Sequence, residues 1–122
     1  MPSDTKQFDL EERTFQFALK VRQIVAKHDW SREHWKDLDQ IIRSSGSIGA
    51  NYIEANDGLS KQDFIYRIKI AKKEAKETRY WARLLGAANQ EPVTSEFRAI
   101  YREADELMRI LATVLKNYQR NS

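Results

Sequence analysis

The chain has 122 residues, enough for one domain with a substantial core, and 41% of them are hydrophobic while 32% are charged. This balance excludes a disordered chain and a membrane-spanning segment, and 4 Gly and 2 Pro are too few for a sandwich of many short strands. The absence of Cys excludes disulfides, thiolate metal sites and Cys nucleophiles, and a formal net charge of +3 does not by itself indicate a nucleic-acid ligand.

Two amphipathic segments occupy the first half of the chain, each with apolar residues at the three- and four-residue spacings of one helical face. The first is predicted from about residue 9 to 27, where Asp9 and Glu12 have the spacing of a capping box. The second is predicted from about residue 31 to 55, with Ser31 as its cap.

Two further helices are predicted in the second half of the chain, at about residues 61–88 and 95–118. Ser60 has the side chain of a helix cap, and Pro92 cannot continue the third helix. Short linkers make neighbouring helices antiparallel. We therefore predict an all-α fold, an antiparallel up-down-up-down four-helix bundle forming a single domain over residues 1–122.

Small residues are concentrated in the second helix, where two Gly cost about 1 kcal/mol each relative to Ala. Close packing against the alanine face of the third helix would offset that loss. A phosphate-binding loop is the alternative, but Gly49 is followed by Ala50 and not by the Lys of a Walker motif. The predicted packing seam consists of Ser45, Gly46, Gly49, Ala71 and Ala75.

Basic residues are concentrated in the third helix, which has 8 bases and 3 acids between residues 61 and 89. Five of them recur at helical spacing, about 100° around the helix from its apolar face. They form either a track for phosphates or a solvated flank paired with acids of a neighbouring helix. The candidate nucleic-acid-binding residues are Lys69, Lys72, Lys76, Arg79 and Arg83.

Another face of the third helix is partly apolar and lies away from the predicted core. A neighbouring helix could cover it, but aromatic residues are enriched at interface cores, and we favour an oligomer interface. A monomer is expected to leave Trp81 and Ile70 poorly buried. The predicted interface residues are Tyr66, Ile70, Glu77, Trp81 and Leu84.

No set of residues indicates catalysis, a cofactor or a metal. The only histidines, His28 and His34, lack the Glu-x-x-His motif of di-iron bundles. Glu54 is the acid of most interest, either as a buried carboxylate or, as we favour, paired with Lys73 or Arg79 or facing an oligomer interface. We therefore predict a protein that is not an enzyme.

Two strings make the chain resemble a known family. They are SSGSIGANY at residues 44–52 and KKEAKET at residues 72–78, and ADEL at residues 104–107 fits the last helix. The chain resembles the bacterial four helix bundle protein family, also called the S23 or 23S rRNA intervening-sequence protein family. The resemblance implies ring-shaped homopentamers with no assigned catalytic residues, and kinship to the nucleic-acid-binding accessory protein of diversity-generating retroelements.

The leading hypothesis is therefore a non-enzymatic homo-oligomer, expected to be pentameric, that binds structured RNA, or DNA, through the third helix. The alternatives are a scaffold for protein partners with no nucleic-acid role and an enzyme or ligand carrier with a pocket in the bundle or at the centre of the ring. No signal peptide or membrane span is visible in the sequence, so we expect a cytoplasmic protein without a membrane partner.

Overall fold

The computed structural model describes the backbone of residues 2–120 and the side chains of residues 10–120. Within that part of the chain there are four α-helices, one turn of 3-10 helix and no strand. The elements are α1 Pro2–Lys27, the 3-10 turn Arg32–His34, α2 Trp35–Asn56, α3 Lys61–Ala87 and α4 Val93–Arg120.

Contacts between helices show that neighbours run antiparallel. Along α2 and α3, Arg43 contacts Glu77 while the later Asn51 contacts the earlier Arg67. The same reversal relates α3 to α4, where Phe64 stacks on Tyr118 and Arg79 pairs with Asp105, and it also relates α1 to its two neighbours. The predicted all-α, up-down-up-down bundle is confirmed.

The core is built from the residues that recur at three- and four-residue spacing on every helix. Burial of a Leu, Ile, Val or Phe side chain stabilises the fold by about 1.5–3 kcal/mol. The largest apolar side chains with less than 2% exposure are Val21, Ile41, Ile48, Ile68, Leu85, Phe97, Ile100, Leu107 and Leu111. Helix α3 packs along both α2 and α4, whereas α1 contacts α4 at few positions.

The two Gly of α2 face α1, and the expectation that they pack against α3 is wrong. A Cβ atom built on Gly49 would lie 2.8 Å from Thr14 Oγ1, and one built on Gly46 would lie 3.0 Å from Arg22 Nη2. Arg22 crosses the backbone of α2 there and donates to the carbonyl of Ile42 at 3.0 Å. Small residues permit close approach to any neighbour, so their presence does not identify the partner helix.

The α2–α3 contact uses other small residues. Ala71 and Ala75 are fully buried, and so is Ser44, whose Oγ accepts a hydrogen bond from Thr78 Oγ1 at 2.8 Å. Thr78 Oγ1 also lies 2.8 Å from the Glu74 carbonyl. The Ser44 and Thr78 hydroxyls therefore each have a hydrogen-bond partner at the place where α2 and α3 approach each other.

Replacement of Thr78 by Val should destabilise the protein by about 1–2 kcal/mol, because it leaves the buried Ser44 hydroxyl without its main partner. The matched control is Thr113→Val, since Thr113 is exposed and also bonds the carbonyl four residues before it. That change should stay within about 0.5 kcal/mol. Urea denaturation of both variants measures the difference, and equal losses would contradict a special role for the buried pair.

The helix ends match the predictions in part. Helix α1 begins at Pro2, so Asp9 lies inside the helix and the predicted start at a capping box is wrong; the Asp9 side chain itself lies outside the described residues. Ser31 makes no capping hydrogen bond and precedes the 3-10 turn, and α2 begins at Trp35. Ser60 does cap α3, since its Oγ accepts from the Asp63 amide at 3.1 Å.

The start of α4 also differs from the predicted position at Ser95. The helix begins at Val93, and the Glu91 carboxylate accepts hydrogen bonds from the Ser95 amide at 2.9 Å and from the Ser95 hydroxyl at 2.7 Å. The Ser95 hydroxyl, and then its amide, hold the pKa of Glu91 below its usual value. The Glu91 side chain, before the helix, thus satisfies one amide of its first turn.

Candidate nucleic-acid interface

The predicted basic residues of α3 lie on the flank of that helix that faces α4. Arg79 and Arg83 fix this direction, because Arg79 pairs with Asp105 of α4 and Arg83 lines a cleft with Tyr101. Among the other predicted residues, Lys69 and Lys76 are exposed and Lys72 is half-buried. Residues 69 to 83 extend about 21 Å along the helix axis.

Arg79 differs from the other four bases because it holds α3 to α4. Its Nη1 lies 2.5 Å from Asp105 Oδ1, and its guanidinium lies 5.9 Å from the centre of the Tyr101 ring. Asp105 also accepts from Arg109 Nε at 3.0 Å. Hydrogen bonds from Arg109 and then Arg79 hold the pKa of Asp105 below its usual value. Lys69, Lys72, Lys76 and Arg83 have no ion-pair partner among the described residues.

Helix α4 adds bases that the sequence patterns did not single out. Arg98, Arg109 and Lys116 are exposed, and intervals of 11 and 18 residues return to the same side of an α-helix. These three bases lie on the outer side of α4, next to the basic flank of α3. We call the following set the basic face: Lys69, Lys72, Lys76, Arg83, Arg98, Arg109 and Lys116.

Acids of α4 explain why these bases were missed. The helix contains 5 bases and 4 acids, so its net charge is small. Three of the acids face α1, where Glu103 and Glu106 bind Arg13 at 2.7 and 3.0 Å, and Glu96 binds Lys27 and His28. The charges of α4 therefore segregate by side, and a helical projection of the sequence would have shown it.

The predicted interface face of α3 divides into covered and exposed residues. Trp81 is half-buried against the core and donates from Nε1 to Glu77 at 3.3 Å, and Ile70 is also half-buried, so the expectation that a monomer leaves both poorly buried is wrong. Tyr66 is 59% exposed, and Leu84 is exposed as well.

Tyr80 is 58% exposed on the same side as Tyr66 and Leu84, and the prediction did not include it. We call Tyr66, Tyr80 and Leu84 the apolar patch of α3. A second exposed apolar pair, Phe15 and Leu19, lies one helical turn apart on α1.

The predicted burial or ion pairing of Glu54 is not observed. Glu54 is exposed, with no hydrogen-bond or ion-pair partner among the described residues, so it is neither a buried carboxylate nor a partner of Lys73 or Arg79. Glu77 pairs with Arg43 of α2, and Lys73 is exposed.

Other kinds of site are not found in the described part of the chain. No three His, Asp or Glu side chains there come together as metal ligands would. Between residues 2 and 120, no helix combines the length and apolarity needed to cross a lipid bilayer.

Comparison with known proteins gives one family. Residues 6–113 match the profile described as "23S rRNA-intervening sequence protein". A crystal structure of a protein of unknown function from the S23 ribosomal protein family of Bacteroides thetaiotaomicron is similar, with 28% sequence identity and a TM-score of 0.73. The alignment covers 88% of this chain and 98% of that one. Comparison with curated proteins gives no match.

Proposed function

Because the chain belongs to the 23S rRNA-intervening sequence protein family, we propose that it is a non-enzymatic, homo-oligomeric accessory protein that binds structured RNA through the basic face. The single observation that carries the proposal is the composition of this face. It has seven bases from two helices, and the acids beside them are Asp105, which Arg109 shares with Arg79, and Glu91, which lies near Arg98. A surface with this excess of positive charge attracts a phosphate backbone.

The shape of the basic face suits a duplex or a hairpin stem more than a compact anion. Its α3 edge is about 21 Å long, and the outer side of α4 runs parallel to it. Bases spread over two rigid helices can contact several consecutive phosphates. Such contacts are independent of sequence, so the protein should distinguish RNA by shape and charge.

Two exposed apolar surfaces on one chain support the homo-oligomer. The apolar patch of α3 and the pair Phe15 and Leu19 of α1 lie on different helices. If one surface binds the other on the next subunit, the contact is head-to-tail, and such contacts close into rings when the rotation allows. A pentamer would then present five basic faces, and simultaneous contacts raise avidity without new interactions.

Light scattering of the protein with and without an RNA hairpin tests the proposal. At about 0.05 M salt we expect a mass near five times the 14.4 kDa of one chain, and a further increase when the hairpin is added. At about 0.5 M salt the increase should disappear while the oligomer persists. A mass that does not change with RNA at either salt concentration would contradict RNA binding, and a monomer would contradict the ring.

Conversion of Asp105 to Asn should raise RNA affinity by about three- to tenfold at 0.1 M salt, because it removes a negative charge and frees Arg79 and Arg109 for phosphates. The control is Glu106→Gln, the same charge change on the α1 side of α4. Fluorescence anisotropy with a labelled hairpin compares the two. If both variants gain equally, net charge and not the basic face governs binding.

A protein scaffold is the second candidate, and the exposed Tyr66 and Tyr80 favour it. Tyr side chains are enriched at the centres of protein interfaces. Salt separates the two functions, since partner binding through the apolar patch should survive a salt concentration that abolishes phosphate contacts.

A further inference from the structure

A cleft of about 330 Å³ opens at one end of the basic face, where α3 ends and α4 begins. Its volume lies at the lower end of the range of about 300–1,000 Å³ that is usual for small-molecule sites. We call it the end cleft. Its lining consists of Ala82, Arg83, Gly86, Ala87, Thr94, Arg98 and Tyr101.

The floor of the end cleft is mainly apolar. Ala82, Gly86 and Ala87 line it, and the Thr94 hydroxyl lies 2.9 Å from the Gly86 carbonyl and 2.8 Å from the Asn89 carbonyl. Tyr101 supplies an aromatic wall with a hydroxyl that makes no hydrogen bond among the described residues, and the Arg79 guanidinium lies 5.9 Å from the centre of its ring. Such a floor suits a flat ring system that binds by stacking and exclusion of water.

The rim of the end cleft is cationic on both sides. Arg83 from α3 and Arg98 from α4 are exposed, and neither has an ion-pair partner among the described residues. Glu91 lies near Arg98, and its carboxylate keeps its negative charge while it accepts from the amide and hydroxyl of Ser95, so the rim is cationic by two bases against one acid. Guanidinium groups bind phosphate with two parallel hydrogen bonds, so the pair can hold one phosphate between them.

We propose that the end cleft binds one unpaired nucleotide, with the base against Tyr101 and its phosphate between Arg83 and Arg98. An apolar floor with a cationic rim matches a flat ring joined to an anion better than it matches a simple anion. This inference rests on the proposed function, because the nucleotide would come from the bound RNA. The cleft continues the basic face and would take a bulged or looped-out nucleotide of that RNA. Because the base would meet mainly apolar surface and one aromatic ring, selectivity among bases should be slight.

The first experiment titrates the full protein with adenosine or uridine 5′-monophosphate and follows backbone amides by NMR. We expect saturable shifts centred on Gly86, Ala87, Thr94 and Tyr101 with both nucleotides. Inorganic phosphate at the same concentration should move only the amides near the arginines, and weakly. Absence of nucleotide-induced shifts at the cleft, or identical shifts with phosphate alone, would overturn the proposal.

The second experiment compares a hairpin carrying one bulged nucleotide with the same hairpin fully paired. Tyr101→Leu should weaken binding of the bulged RNA about fivefold or more and change binding of the paired RNA less than about twofold. Arg98→Gln, an exposed change that spares the core, should weaken binding of the bulged RNA more than binding of the paired RNA, which it also weakens because Arg98 belongs to the basic face. Its matched control is Lys116→Gln, an equal loss of charge on the same side of α4, which should weaken both RNAs alike.

The two experiments separate the cleft from the proposed function. If both hairpins bind and the cleft variants weaken them equally, the cleft proposal is wrong and RNA binding by the basic face stands. If nucleotides bind the cleft but no hairpin binds, the proposed function is wrong and the cleft is a site for free nucleotides. If neither binds, both proposals are wrong.

Discussion

Exchange of Lys69, Lys72 and Lys76 for Glu in one variant should lower the affinity for structured RNA about a hundredfold or more at 0.1 M salt. Each Lys that neutralises a phosphate releases a counterion, and at this salt concentration one such contact is worth about tenfold in affinity. All three side chains extend from the flank of α3 and hold no structural ion pair among the described residues, so the fold should be retained.

The salt dependence of the same variant gives a second readout. The slope of log affinity against log salt should become shallower by about 2–3, since three phosphate contacts are lost. Anisotropy titrations at several salt concentrations measure both quantities. Arg79 is left unchanged because its reversal would place two carboxylates, at positions 79 and 105, against each other and disturb the α3–α4 contact.

The matched control reverses three exposed bases outside the basic face, Lys20, Arg32 and Lys36. This variant has the same net charge as the first and carries its changes on α1, the 3-10 turn and α2. Its affinity should fall by about tenfold at most, through the long-range field alone. If the two variants lose the same affinity, the basic face is not the binding site.

Replacement of Gly49 by Leu should destabilise the protein by about 3 kcal/mol. A Cβ at this position would already lie 2.8 Å from Thr14 Oγ1 and 3.1 Å from Thr14 Cβ, and Thr14 is only 1% exposed. The remaining side-chain atoms would have to push α1 away from α2, and overpacking of this kind costs about 1–3 kcal/mol or more. Urea denaturation measures the loss.

Gly46→Leu is the control, one helical turn earlier on the same helix. The atom nearest to a Cβ at this position belongs to the end of the flexible Arg22 side chain, which can move aside. The gain in helix propensity of about 1 kcal/mol should offset the lost Arg22 contact, so stability should change by less than about 1 kcal/mol. Equal destabilisation by the two substitutions would show that the α1–α2 distance is not set by Gly49.

Helix positions could be predicted from the sequence because apolar residues recur at intervals of three and four residues over many turns of each helix. The third helix was predicted to within one residue at both ends, since Ser60 caps it through the Asp63 amide. The start of α2 was predicted four residues too early. Ser31 has the side chain of a helix cap, and the sequence does not indicate that a 3-10 turn lies between it and Trp35.

The functional surface could be predicted only in part. Spacing within α3 placed its bases on one flank, but no sequence pattern indicates that Arg79 is occupied by Asp105, 26 residues further along the chain. Whether the bases of α4 join those of α3, and whether the end cleft forms, depends on which side of α4 lies beside α3. That relation is a property of packing between helices and is absent from the periodicity of either one.

The sparse contact between α1 and α4 has a consequence for how the molecule opens. Besides the buried apolar face of α1, ion pairs at the rim such as Arg13 with Glu103 join it to α4, and its backbone approaches α4 at few positions, whereas α3 packs along two helices. Rim ion pairs contribute little free energy. Amide hydrogens of α1 should therefore exchange with solvent through a partial opening that leaves α2, α3 and α4 assembled, and the three helices that stay together include both halves of the basic face.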